Sequence, residues 1–164
     1  MFTRILLILT IALGLSSCGR TSKFVSYDGP EVTSIVMNKG ARRMYLMHDN
    51  DVMRSYDIRM GFAPEGHKQF EGDGKTPEGT YVINRRNPNS AYHLSLGISY
   101  PNAQDRAYAA SQGRAPGGEI FIHGTPSIAD SSIDWTAGCI AVSNAEIEEI
   151  YAMVPNGTPI FIYP

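Results

Sequence analysis

Several features that mark common functional classes are scarce or missing in this sequence. Only two of its 164 residues are cysteines, Cys18 and Cys139, which excludes a scaffold built on several disulfides. The formal net charge is −2, whereas nucleic-acid-binding domains usually carry a basic patch and a high isoelectric point. No His-x-x-x-His or Cys-x-x-Cys pair occurs, so no metal site is predicted. The sequence also lacks internal repeats and low-complexity tracts, which favours one ordinary globular domain.

Long apolar runs are missing as well, apart from one near the N-terminus. Residues 5–15 form this run, and Arg4 precedes it. The run is too short for a stable membrane span, so it predicts a secretory signal peptide. The following Leu15-Ser16-Ser17-Cys18 resembles a bacterial lipobox, which implies cleavage before Cys18 and attachment of lipid to its sulfur. An ordinary signal peptide with an incidental cysteine and a lone transmembrane anchor are the alternatives.

This interpretation divides the chain into a signal peptide at 1–17, a lipid-anchored tether at 18–31 and one domain at 32–164. We expect an exported protein, held by its lipid at the periplasmic face of a bacterial membrane, with the outer membrane preferred. If Cys18 carries lipid, Cys139 has no disulfide partner within the chain. An unpaired cysteine is unusual in an oxidising compartment, so Cys139 is either an inert buried residue or a nucleophile.

Residue patterns predict a mainly β domain with one or two helices. A helix is predicted after Ser143, because Ser143 and Glu146 form a capping box and apolar residues follow at helical spacing. A helical turn is predicted at 103–110 and a long irregular loop at 61–79, which is rich in glycine. Strands are predicted at 33–37, 44–48, 52–59, 80–84, 92–100, 119–123, 139–142 and 159–163.

His123 and Cys139 are the candidate chemical groups. His123 is predicted to end a strand before Gly124, and Cys139 to begin another strand after Gly138. A free thiol is only slightly ionised at neutral pH, and a neighbouring imidazole that accepts its proton makes it a strong nucleophile. The backbone N–H groups of Gly138 and Cys139 are candidates to bind the oxyanion of a tetrahedral intermediate. A bare cysteine–histidine pair is weak evidence, and the surrounding residues decide the interpretation.

The surrounding segments resemble the L,D-transpeptidase catalytic domain, a family of peptidoglycan-modifying cysteine enzymes. His123-Gly124-Thr125 followed by Thr136-Ala137-Gly138-Cys139 is similar to the family's His-Gly and Ser/Thr-x-Gly-Cys signature. Residues 74–81 are similar to its Thr-Pro-x-Gly segment, and residues 44–56 to its first hairpin. The resemblance covers about residues 32–164 and implies a β-sandwich-like fold.

The resemblance also implies a mechanism. Cys139 attacks the carbonyl between an L-centre, usually of meso-diaminopimelate, and the terminal D-residue of a tetrapeptide stem, while His123 transfers the proton. An amine from another stem, or from a wall-linked lipoprotein, then resolves the acyl-enzyme. No metal or organic cofactor is needed, and the expected partners are stem peptides, the membrane through the anchor, and no nucleic acid.

Two positions depart from the common family pattern. Many members carry histidine where this chain has Ala137, and arginine where it has Ala141. The Gly-Cys-x-Ala sequence is similar to one subgroup, some of whose members hydrolyse links between proteins and peptidoglycan. Hydrolysis of the same bonds, as a carboxypeptidase or amidase, therefore stays open beside transpeptidation. A non-catalytic wall-binding lipoprotein is a third alternative, and the intact pair of His123 and Cys139 disfavours it.

Donor binding without an arginine at position 141 requires other groups. Arg106 and Arg114 are basic residues close in sequence to the predicted site, and arginine binds carboxylates with two parallel hydrogen bonds. A structural ion pair of Arg106 with Asp105 or another acid is the alternative. Trp135 is predicted to stack over the substrate or to cover the core. The predicted substrate-binding residues are Tyr92, Tyr100, Arg106, Gly124 and Thr136.

Overall fold

The computed structural model describes residues 22–125 and 133–164. These residues form eight strands and two helices, which confirms the predicted mainly β fold. The elements in chain order are β1 (Ser34–Asn38), β2 (Arg43–His48), β3 (Asp51–Asp57), β4 (Gly79–Asn87), β5 (Ser95–Ile98), α1 (Ala103–Ser111), β6 (Phe121–Thr125), β7 (Ile140–Ser143), α2 (Asn144–Met153) and β8 (Pro159–Tyr163).

All eight strands join one sheet in the order β3-β2-β1-β8-β4-β5-β6-β7. The pairs β1–β8 and β6–β7 are parallel, and the other neighbours are antiparallel. A register shift between Ile83 and Arg85 divides β4 between the two halves of the sheet. Just beyond β3, Arg59 pairs with Ala141 of β7. The two edges of the sheet therefore meet beside the predicted nucleophile, and the sheet is nearly closed.

The hydrophobic core lies inside this curved sheet and under α2. Strand alternation places Ile35 and Met37 of β1 in the core, both without exposed surface. Helix α2 packs on β5, β6 and β7 and buries Ile147 and Ile150. The predicted capping box is present, since the Ser143 hydroxyl accepts from the backbone of Glu146 and the Glu146 carboxylate accepts from that of Ser143. The cap fixes where α2 begins, directly after β7.

Some predicted boundaries were wrong. Strand β5 covers only Ser95–Ile98 of the predicted 92–100. His123 does not end its strand, because β6 continues through Gly124 and Thr125, which pair with Val142 and Ser143 of β7. His123 is therefore held on both sides by a sheet ladder rather than at a loop junction.

The predicted leader and Cys18 lie outside the described residues. The described part of the predicted tether forms neither helix nor strand, yet it contacts the domain. The Lys23 ammonium donates to the carbonyls of Pro88 at 2.6 Å and His93 at 3.0 Å, and the Phe24 ring lies 6.2 Å from that of Tyr151. Within residues 22–125 and 133–164, no helix has the length and apolar character needed to cross a membrane.

Candidate active site

Strand register brings His123 and Cys139 to the same face of the sheet. His123 of β6 pairs with Ala141 of β7, and Cys139 precedes Ala141 by two residues, so the three side chains point the same way. Gly124 points the opposite way, because a Cβ at this position would lie 2.8 Å from a methyl group of Ile147 in α2. The two candidate catalytic side chains therefore lie on the face of the sheet that α2 does not cover.

A backbone carbonyl orients the His123 ring. Nδ1 lies 2.8 Å from the carbonyl oxygen of Gly124, and a carbonyl only accepts, so Nδ1 carries the proton and Nε2 keeps the lone pair of a general base. The ring lies against two aromatic side chains, 4.4 Å from Tyr92 and 5.9 Å from Trp135 between ring centroids. Burial lowers the pKa of His123, against an opposing effect of the Gly124 hydrogen bond. The resting imidazole is therefore neutral at neutral pH.

Gly124 is required for this arrangement. A Cβ at this position would lie 2.6 Å from the side-chain oxygen of Asn144 and 2.8 Å from a methyl group of Ile147. Both distances are shorter than the non-bonded contacts that Cβ atoms make in proteins. Its N–H donates to the carbonyls of Tyr92 at 3.1 Å and Leu94 at 3.3 Å. Gly124 therefore fits tightly between β6 and α2 and holds the carbonyl that orients His123, a role that is distinct from the predicted contact with substrate.

The Cys139 thiol is half-buried and unpaired. It donates to the carbonyl of Glu119 at 3.5 Å, and Glu119 has a φ of 54°, a left-handed conformation that is uncommon outside glycine. Burial raises the pKa of Cys139 and the Glu119 charge adds to this, whereas the N–H of Phe121 and the Lys68 charge oppose it. Burial therefore favours the neutral form of both the Cys139 thiol and the His123 imidazole.

Hydrogen bonds of Thr136 shape the backbone around the nucleophile. Its hydroxyl donates to the carbonyl of Cys139 at 2.7 Å and accepts from the N–H of Gly138 at 3.1 Å. Thr136 is also 4% exposed, so its hydroxyl belongs to the loop rather than to an open binding surface. The Gly138 N–H, one of the two predicted oxyanion donors, therefore already has an acceptor within the protein.

Thr76 holds the peptide group between Gly138 and Cys139. Its fully buried hydroxyl donates to the carbonyl of Gly138 at 2.9 Å and accepts from the N–H of Gly61 at 3.0 Å. A trans peptide is planar, with its N–H opposite its carbonyl. Fixing the Gly138 carbonyl against Thr76 therefore points the Cys139 N–H away from Thr76. The buried ammonium of Lys39 in turn donates to the carbonyl of Thr76 at 3.0 Å.

Comparison with known proteins shows the family of this domain. The model of the L,D-transpeptidase catalytic domain, YkuD, matches residues 33–162. The chain belongs to the L,D-transpeptidase catalytic-domain family. Among curated relatives, YafK of Escherichia coli K12, which is named as an L,D-transpeptidase, is 34% identical over 115 residues, covering 69% of this chain and 41% of YafK. YkuD of Bacillus subtilis 168 is 31% identical over 133 residues, covering 78% of this chain and 64% of that protein.

A solved structure supports the same assignment. The crystal structure of the helical cell shape determining protein Pgp2 from Campylobacter jejuni has a TM-score of 0.59 and 31% sequence identity, covering 88% of this chain and 51% of Pgp2. The chain thus spans about two fifths of YafK and about half of Pgp2. The similarity concerns the L,D-transpeptidase domain, and the relatives extend beyond it.

A groove of about 700 Å³ opens close to Cys139 in this L,D-transpeptidase domain, with Ala137, Glu119 and Tyr100 among its lining residues. Tyr100 is 4% exposed, and its hydroxyl donates to the carbonyl of Pro116 at 3.0 Å. Lys68, another lining residue, is buried, and its ammonium lies 2.8 Å from a carboxylate oxygen of Asp73. Tyr100 therefore forms part of the wall of the groove, while its polar atom is bonded within the protein.

The other predicted substrate-binding residues are distributed unevenly. Tyr92 and Trp135 lie at the site, and both are nearly half exposed beside His123. Arg106 lies on α1 and donates to the carbonyl of Pro101, and it is not among the residues that line the groove. The alternative ion pair between Arg106 and Asp105 is also not found. The Asp105 carboxylate instead accepts hydrogen bonds from the Tyr81 hydroxyl and from the backbone N–H of the α1 N-cap residue. Arg114 packs over the Phe70 ring at 3.8 Å.

Sequence analysis missed Thr76, Glu119 and the carbonyl of Gly124 as parts of the site. Glu119 follows Gly117 and Gly118, a pair that signals unusual backbone but not its proximity to Cys139. Thr76 lay within a recognised segment to which no role was assigned. Among the residues that the structure describes, no three His, Cys, Asp or Glu side chains are grouped closely enough to hold a metal ion.

Proposed function

We propose that this chain is a cysteine L,D-transpeptidase that acts on peptidoglycan tetrapeptide stems through an acyl-enzyme on Cys139. The observation that supports this most directly is the placement of His123 and Cys139 on one face of neighbouring parallel strands, with His123 Nδ1 hydrogen-bonded to Gly124. This leaves Nε2 with the lone pair of a general base. Family membership supports the reaction type.

In the proposed reaction, the Cys139 sulfur attacks the carbonyl carbon between the L-centre and the terminal D-residue while its proton moves to His123 Nε2. The N–H of Cys139 donates to the oxyanion of the tetrahedral intermediate. When the intermediate collapses, the C–N bond breaks and His123 protonates the leaving amine. An acceptor amine then attacks the thioester, His123 takes its proton, and the released thiolate is reprotonated.

Hydrolysis of the same bond is the second candidate, with water as the acceptor. Two observations favour it: position 141 is a buried alanine rather than an arginine, and the groove beside Cys139 has the exposed Ala137 in its wall, so water has access. The chemistry of Cys139 and His123 is the same in both candidates, and only the acceptor differs.

Defined substrates separate these candidates. The protein is incubated with purified tetrapeptide muropeptides, with and without an amine acceptor, and the products are identified by mass spectrometry. Crosslinked dimers indicate transpeptidation and tripeptides indicate hydrolysis, while Cys139→Ala serves as the inactive control of nearly unchanged volume. Turnover by Cys139→Ala equal to that of the wild type would contradict the proposal, and binding without turnover by the wild type would support a non-catalytic wall-binding role.

We further propose export and lipid anchoring through Cys18, with residues 18–31 linking the lipid to the domain. The apolar run, the lipobox-like sequence and the contacts of Lys23 and Phe24 with the domain support a short connection between membrane and enzyme. The proposed location is the periplasmic face of a bacterial membrane, where tetrapeptide stems are within reach.

A further inference from the structure

Arg59 lies in one row with His123 across the sheet. Arg59 and Ala141 exchange both backbone hydrogen bonds, at 2.9 and 2.7 Å, and Ala141 is in register with His123. Directly paired residues point to the same face, and each step between strands is about 5 Å. The backbone of Arg59 is therefore about 10 Å from that of His123, on the neighbouring side of Ala141.

Burial of the flanking residues independently assigns Arg59 to this face. Ile58 and Met60 have no exposed surface and belong to the core. Because successive strand residues point to opposite sides, the Arg59 side chain leaves the core and projects on the face that carries Cys139 and His123. Ala141 between them contributes only a methyl group, so the row has a single charged side chain.

The Arg59 guanidinium is incompletely satisfied. Its Nη1 donates to the carbonyl of Ile58 at 2.7 Å, whereas its buried Nε has no hydrogen-bond partner. Within the described part of the chain, no carboxylate pairs with Arg59, in contrast to Arg42, Arg43, Arg54 and Arg85. A buried donor without a partner is unfavourable, and the guanidinium also lacks a counter-charge among the described residues, which an anionic ligand would supply.

We infer that Arg59 binds a carboxylate of the donor peptide and so determines donor specificity at the Cys139 site. This inference rests on the proposed function, because a tetrapeptide stem brings two candidate carboxylates near the scissile bond. One is the α-carboxylate of the terminal D-residue, and the other is the side-chain carboxylate of the diamino acid. The guanidinium can donate its remaining Nη hydrogens to either one, and a charge-assisted hydrogen bond of this kind is stronger than a neutral one. Arg59 thus supplies a cation on the face of the sheet that carries His123, whereas Arg106 lies on α1.

The test combines variants of Arg59 with amides of the substrate. Arg59→Met keeps an unbranched apolar stem and removes the charged guanidinium, and Arg59→Lys keeps the charge without the guanidinium. Arg43→Met, an exposed arginine of β2 paired with Asp57, is the matched control. Each enzyme is assayed on a synthetic tetrapeptide stem and on three analogues: the terminal amide, the side-chain amide and the doubly amidated peptide.

On the acidic peptide, Arg59→Met is expected to lower kcat/KM by about 10- to 100-fold, mainly through KM, with Arg59→Lys intermediate and Arg43→Met within about twofold of the wild type. On the doubly amidated peptide, Arg59→Met and the wild type should differ by less than about threefold. The single amide on which the difference disappears identifies the bound carboxylate. The melting temperature of Arg59→Met should be unchanged or raised, because an unsatisfied buried donor is removed.

An equal loss on acidic and doubly amidated peptides, or no loss on either, would overturn the inference. A lowered melting temperature with uniformly reduced kcat would likewise assign Arg59 a structural role. Absence of turnover by the wild-type protein would overturn the proposed function and this inference with it. An active wild type together with an equally active Arg59→Met would overturn this inference alone.

Discussion

Replacing Thr76 with valine should slow catalysis, because Thr76 holds the peptide group between Gly138 and Cys139 through a hydrogen bond to the Gly138 carbonyl. Valine has nearly the shape of threonine but lacks the hydroxyl, so the change removes two hydrogen bonds and little volume. The carbonyl of Gly138 and the N–H of Gly61 lose the partners they have at 2.9 and 3.0 Å. The peptide that precedes the nucleophile can then rotate, and the Cys139 N–H loses its fixed direction.

The magnitude follows from these two bonds. Each buried backbone group left without a partner costs about 1–3 kcal/mol, so the free energy of unfolding should fall by about 2–6 kcal/mol and the melting temperature by roughly 8–24 °C. Removal of one oxyanion donor lowers kcat by about 10²–10³-fold. Because Thr76→Val misorients the donor rather than removing it, we expect kcat to fall by about 10- to 100-fold, with KM nearly unchanged.

Two reactions of the same thiol distinguish this effect from general damage. Release of the terminal D-residue from a tetrapeptide passes through an oxyanion, whereas alkylation of Cys139 by iodoacetamide does not. Thr76→Val should therefore slow peptide turnover much more than alkylation. Thr76→Ser restores the hydroxyl and should recover most of the rate. Thr158→Val is the matched control, because Thr158 is also buried and its hydroxyl donates to Pro155 at 2.9 Å away from the site.

Equal slowing of turnover and alkylation would refute the reasoning, because it would place the effect on the thiol rather than on the oxyanion donor. Wild-type turnover by Thr76→Val would refute it as well. If Thr76→Val does not fold at the assay temperature, Thr76→Ala, which removes the same hydroxyl and leaves space for water, is measured below its melting temperature and judged by the same ratio of turnover to alkylation.

Three further predictions concern the acid–base pair and the anchor. The acidic limb of kcat/KM should have its midpoint below the ordinary imidazole value of about 6.5, because the base must be unprotonated and burial lowers the pKa of His123; a midpoint above 6.5 in a pH–rate profile would contradict this. His123→Asn should lower the rate at pH 7 by about 10²–10⁴-fold, with partial recovery only at alkaline pH, because burial raises the pKa of the Cys139 thiol; a rate that stays flat up to pH 10 would indicate a structural role. Cys18→Ala should move the protein from the membrane to the soluble fraction without loss of activity, and its continued sedimentation with membranes after fractionation would exclude the lipid anchor.

Local patterns in the sequence were sufficient for most of the fold. Segments rich in β-forming and apolar residues, bounded by turn signals, predicted the strands from β1 to β8, and the capping box of Ser143 and Glu146 predicted the start of α2. Such signals succeed because they depend on neighbours within about four residues. Boundaries were less predictable: β6 continues past His123 because of its pairing with β7, and no local pattern records the length of a partner strand.

The sequence by itself also determined the candidate chemistry, since His123, Cys139 and the surrounding glycines are adjacent in recognisable segments. Only the tertiary structure decided which groups complete the site. Thr76 meets Gly138 across 62 residues, and Arg59 meets Ala141 where the two edges of the sheet approach each other. Neither contact has a local signature, because both follow from sheet closure. The pKa shifts of the pair were equally undetermined, because they come from burial in the folded chain, which raises the pKa of the Cys139 thiol and lowers that of His123.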